Sequence, residues 1–151
     1  MNNTYDFRDG RGPVLAHQHP NGGGWVADAA FVADTAFVGK NAVVFGHAMV
    51  CGDASIYGNA QVFDFAVISG NASVHDNARV FGFAKVFGHA MVFDNAVVFG
   101  NARVYDNARV FDHATVFDNA QVFGRTKTCD NAKVCGDTIV SGDAMVFGFN
   151  L

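Results

Sequence analysis

From Val26 onward every sixth residue is aliphatic: stepping by six to Val146 gives 21 positions, eighteen of them Val, with Ile56, Ile68 and Thr128 as the exceptions. Two residues before each of these, from Ala30 to Ala144, stands Ala, replaced only by Thr126 and Thr138. The consensus is V-[F/Y]-[G/D]-[N/H/D]-A-x. A helix would turn 600° per repeat and scatter one residue class around its surface, and the density of Gly and Asn also opposes helix. Strand alternation fits. Ala points inward, x outward, Val inward and the aromatic outward, after which Gly or Asp and then Asn, Asp or His form a corner that tolerates positive φ. Each hexad is therefore a short strand plus a turn. Such units bury their apolar side only by stacking, which predicts a parallel solenoid filled by Val and Ala layers.

The hexads VFGNAR, VYDNAR and IYGNAQ resemble the hexapeptide repeat of the bacterial transferase superfamily. That resemblance implies an all-β, left-handed parallel β-helix with three hexads per triangular coil. It covers residues 26–151 and departs from the commonest family pattern in placing Phe after the aliphatic residue. The opening GGGWV before such repeats also resembles hexapeptide-repeat proteins from phages, prophages and enteric bacteria. Seven coils would follow, on the order of 34 Å long at one strand spacing per coil. Residues 1–25 lack the repeat, contain Pro13, Pro20 and Gly22-Gly23-Gly24, and end at the only tryptophan, Trp25. They are expected to cap the first coil, because a bare terminal coil exposes backbone and apolar interior.

With three hexads per coil, residues eighteen apart become vertical neighbours. One face then reads Phe45, Phe63, Phe81, Phe99, Phe117 and Cys135. This ring ladder is the expected oligomer contact, since such an apolar stripe exceeds what soluble monomers usually leave bare. The other faces read Cys51, Ser69, Phe87, Tyr105, Phe123, Ser141 and Tyr57, His75, Phe93, Phe111, Cys129, Phe147. At one corner Phe65 and Phe83 follow His47 where a polar turn residue is usual, and these two, with Phe147 and Phe149, are expected to meet a partner. At another, Asp76, Asp94, Asp112 and Asp130 stack. Asp suits a turn; the alternative is a site for a cation or a partner's basic groups, because stacked like charges repel. In GRTKTCD, Thr126 and Thr128 turn inward and are expected to bond neighbouring backbone. Arg125 and Lys127 point outward there, with Lys133 as a third member of an alternative anion spot.

The resemblance to the transferase superfamily implies testing for acyl transfer from coenzyme A with a His general base at a subunit junction. The weak candidates are His47, His89 and His113, all at corners, yet no two share a column and no loop interrupts the repeat to build a pocket. Zinc needs ligands converging on one point, which neither these His nor Cys129 and Cys135, one hexad apart, provide. His17 and His19 lie outside the repeat and read as part of the cap. No catalytic residue, metal or cofactor is therefore expected.

Seventeen Gly, sixteen Phe and two Pro in 151 residues suit this architecture. A net charge of −4 argues against nucleic-acid binding, which needs clustered Lys and Arg. No run approaches the ~20 apolar residues of a membrane helix, and MNNTYDFRDGRGP lacks the apolar core of a secretory signal. Three cysteines do not make a disulfide framework. The expected molecule is a non-catalytic homo-oligomer, a trimer by family resemblance, made in the cytosol and acting as a structural or binding module. A phage origin would make it a virion decoration or an inhibitor of a host factor. Its carboxyl end, VFGFNL, is expected to dock on another subunit or protein.

Overall fold

A computed structural model, describing residues 3–148, shows an all-β solenoid of about seven turns with three parallel sheets arranged as a triangle. The register advances by eighteen residues per turn: Val43 pairs with Gln61, Gln61 with Arg79 and Arg79 with Val97. The first face holds β1 (Thr4–Asp6), β2 (Pro13–Gln18) and β3 (Trp25–Ala27), then the strands from Val43–Val44 to Lys133–Val134. The second runs from β4 (Phe31–Val32) to Ile139–Val140 and the third from β5 (Phe37–Val38) to Met145–Phe147. Every inward Val, Ile and Ala from Ala36 to Val122 is fully buried. Each such Val contributes about 1.5 kcal/mol.

The corners explain the alternation of Gly and Asp. This position has a left-handed backbone, with φ of 64° at Gly46, 57° at Asp64 and 66° at Gly82 in one column. A residue bearing a β-carbon is strained there by about 1–2 kcal/mol. Asp offsets the strain, because its carboxylate accepts the backbone N–H one coil on: Asp64 Oδ2 from Gly82 at 3.1 Å, Asp106 Oδ2 from Gly124 at 3.2 Å and Asp118 Oδ2 from Gly136 at 3.0 Å.

The non-repeating segment closes the first coil in two ways. β1 and β2 add to the first face as antiparallel strands, β2 pairing with β3 through His17 and Val26. The loop between β2 and β3 then crosses to β5. His19, buried, has Nε2 2.8 Å from the Ala36 carbonyl, Asn21 Nδ2 donates to the same oxygen at 3.1 Å, and the Gly24 N–H donates to Val38 at 2.9 Å. Gly22 and Gly24 lie so close to Val38 that a β-carbon on either would collide with its backbone or side chain.

One expectation about the interior fails. Thr126 and Thr128 are fully buried as anticipated, but among the described residues neither hydroxyl finds a hydrogen-bond partner. The backbone around them is already committed to the neighbouring coil: the Thr126 and Thr128 carbonyls accept from Arg109 and Phe111, both at 2.9 Å. The hydroxyls are left facing an interior otherwise built of Val and Ala.

Candidate functional site

The eighteen-residue register places rings directly over rings. On the first face Phe45, Phe63, Phe81, Phe99 and Phe117 stack with centroids 4.8–5.1 Å apart and planes within 6° of parallel. The cap supplies a further ring: Phe7 stacks on Phe45 at 4.9 Å and leaves Phe45 only 5% exposed. The other four are half-buried, and the Arg79 guanidinium lies 5.5 and 5.4 Å from the Phe63 and Phe81 centroids. The second face carries Phe87, Tyr105 and Phe123; the third carries Tyr57, His75, Phe93 and Phe111.

At the corner between the first and second faces His47, Phe65 and Phe83 also stack, at 5.3 and 5.1 Å. Here the rings project into solvent, with Phe65 51% and Phe83 59% exposed. The adjacent second face continues the apolar surface through Phe31, 54% exposed, and Met49, then turns basic at Lys85 and Arg103. Phe147 is also exposed, on the last strand of the third face. Phe149 lies outside the described residues.

The corner between the third and first faces brings together Asp76, Asp94, Asp112 and Asp130 along an open groove of 990 Å³, with Asn59, Asn77, Asn95, His113 and Asn131 beside them. Each of the first three carboxylates accepts the backbone N–H of the next Asp, at 3.2, 3.2 and 3.0 Å. The column is thus a set of turn clamps. Burial tends to raise the Asp76 carboxyl, but the Asp94 N–H and the neighbouring His75, whose Nδ1 lies 3.4 Å away, outweigh it and hold Asp76 below the usual carboxylate range.

Cys129 interrupts the third-face stack beside this column, and its sulfur and oxygens of Asp112 and Asp130 lie within 4.8 Å of one another. Neither residue column pointed to this grouping alone; only their adjacency across the corner creates it. Burial, then the charges of Asp130 and Asp112, push the Cys129 thiol above its ordinary value.

The three corner histidines remain apart: His47 follows the first face, His89 the second and His113 the third. The basic trio is divided too. Arg125 pairs with Asp143 at 2.9 Å at one corner, Lys127 stands on the third face and Lys133 on the first.

Sequence reasoning missed a pocket of 530 Å³ formed where the cap meets the first face. Its aromatic wall is Tyr5 and Trp25, stacked at 4.8 Å, and polar groups from cap and solenoid complete it. The signal available beforehand was the run Tyr5-Asp6-Phe7-Arg8, whose alternating aromatic side chains suit a strand laid over an aromatic face.

A family model described as the YdcK beta solenoid repeat matches residues 102–113. Neither a search of curated proteins nor a search of solved structures found a match. The repeat match and the geometry agree at one level: this chain is a β-solenoid repeat protein.

Proposed function

We propose that this chain is a hexapeptide-repeat solenoid acting as a non-catalytic, rigid binding module that associates with further copies of itself, a trimer being the first arrangement to test. The observation that carries the reading is the exposed apolar edge made by Phe65 and Phe83, continuous with Phe31 and Met49. Soluble monomers rarely leave such clusters uncovered. The first-face ladder, by comparison, already covers much of its own surface through Phe7, ring stacking and Arg79. The corner edge is therefore the better contact. The phage-like opening motif supports a role in decorating a virion or engaging a host component.

Light scattering on the native chain and on the double variant Phe65→Ser with Phe83→Ser tests this. The expected result is an oligomer for the native chain and a smaller species for the variant. A native monomer would overturn the reading. Coenzyme A titration separates it from acyl transfer: saturable binding abolished by His47→Ala, His89→Ala or His113→Ala would favour the enzyme.

A further inference from the structure

We infer that the pocket between the cap and the first face binds an acidic saccharide, a sugar ring bearing one carboxylate. Three features of its lining converge on that chemistry. The first is positive charge: Arg8 and Lys40 both line the pocket, and neither is in an ion pair among the described residues. The one carboxylate lining the pocket, Asp6, accepts the Arg8 backbone N–H at 2.8 Å. In a chain of net charge −4, a cleft where cations outnumber carboxylates is a local reversal. It suits an anion.

The second feature is a set of uncommitted amides. Asn41 and Asn59 stand one coil apart at the corner, and Gln61 lies on the adjoining strand. None of the three side chains is hydrogen-bonded within the described residues. An amide offers a donor and an acceptor together, the pattern that a pair of neighbouring hydroxyls on a sugar ring satisfies. The third is the half-buried Tyr5–Trp25 pair, whose faces lie on each other and whose ring edges give the pocket an apolar wall for the C–H groups of such a ring. The volume falls in the small-ligand range of about 300–1,000 Å³. Asn59 also lines the separate groove along the Asp76 to Asp130 column, which repels negative charge on that side. The charged ring belongs in the pocket and any continuation of the chain toward that side is neutral.

Trp25 is the only tryptophan, so its fluorescence reports on this pocket alone. The test titrates the full chain with cellobiouronic acid, which carries one carboxylate, with neutral cellobiose and with sodium acetate. The expected result is a saturable change in Trp25 emission with cellobiouronic acid, about tenfold weaker with cellobiose for loss of the charge-assisted contacts, and none with acetate over the same range. Lys40→Ala and Arg8→Ala, both at exposed side chains, should weaken the acidic sugar while leaving cellobiose unchanged and the thermal unfolding midpoint where it was. Equal affinity for the two disaccharides, the same response to acetate, or no saturable change overturns the inference. Oligomer mass is read separately, so this pocket and the proposed self-association can fail independently.

Discussion

Two columns of rings run side by side along this solenoid, two residues apart in sequence and with nearly the same vertical spacing, yet they meet water differently. Phe63 and Phe81 on the first face are half-buried; Phe65 and Phe83 at the next corner are mostly exposed. Stacking is common to both, so stacking is not what buries a ring here. A ring on a flat face is flanked by outward side chains from its own sheet, as Arg79 flanks Phe63 and Phe81. At a corner the backbone bends away on both sides and leaves more of the ring in water, although Lys85 and Arg103 line the same hollow as Phe65 and Phe83. The first column therefore keeps less ring surface open to water than the second, and the proposed self-association through the corner rests on that difference.

The largest expected effect tests the first half of that contrast. Phe81→Ser with Phe99→Ser removes two half-buried rings and their stacking, and should lower unfolding stability by about 4 kcal/mol while leaving the mass of the proposed oligomer intact wherever the chain stays folded. Urea denaturation followed by far-UV circular dichroism gives the first quantity and light scattering the second. If mass falls and stability does not, the face is the interface and the two columns exchange roles.

The interior provides a comparison of its own, with the opposite sign. Thr126→Ala with Thr128→Val restores the residues that the repeat carries elsewhere and removes two buried hydroxyls without partners. Stability in the same denaturation experiment should rise by about 2 kcal/mol. A decrease would show that those hydroxyls are satisfied in solution. Smaller still, Phe65→Ser with Phe83→Ser should shift the unfolding free energy of the separated chain by less than ~1 kcal/mol, because exposed rings at a corner lose little on truncation. Under the proposed self-association its effect belongs to the mass of the assembly, and the two double variants together should dissociate stability from association.

The repeat itself made most of this geometry legible. Val and Ala at fixed places in each hexad set which side chains face inward, and the bet of three hexads per coil set which rings are neighbours. The observed register repeats every eighteen residues throughout. The cap was less legible because its segment has no period: the alternation Tyr5-Asp6-Phe7-Arg8 suits a strand, but nothing in it fixes the register that sets Phe7 on the Phe45 column and Tyr5 on Trp25. Ring exposure was hidden for another reason. It depends on the local convexity of the surface, which an outward position in a strand pattern does not encode. The Thr126 and Thr128 hydroxyls depart from the expected backbone bonding because parallel stacking occupies the groups that a Thr in a looser fold would use.

The smallest expected effect lies on the third face, where the stack of Tyr57, His75, Phe93 and Phe111 runs beside the carboxylate corner. Asp76 is held below its ordinary value in the folded chain. In the pH interval between the folded value and the higher unfolded one, the unfolded chain binds more protons, so acidification favours unfolding. The stabilisation is fully present above the unfolded carboxylate value and is lost as pH falls through the folded one. Asp76→Asn keeps an acceptor for the Asp94 N–H and a residue type that tolerates the left-handed backbone, but it cannot titrate. The variant should therefore lose stability less steeply than the native chain over the acid limb, with little difference between them at neutral pH. Paired denaturation curves at several pH values measure that slope. Parallel acid limbs would mean that the Asp94 N–H and His75 do not favour the charged carboxylate, and the clamp at this corner would then be a matter of backbone geometry alone.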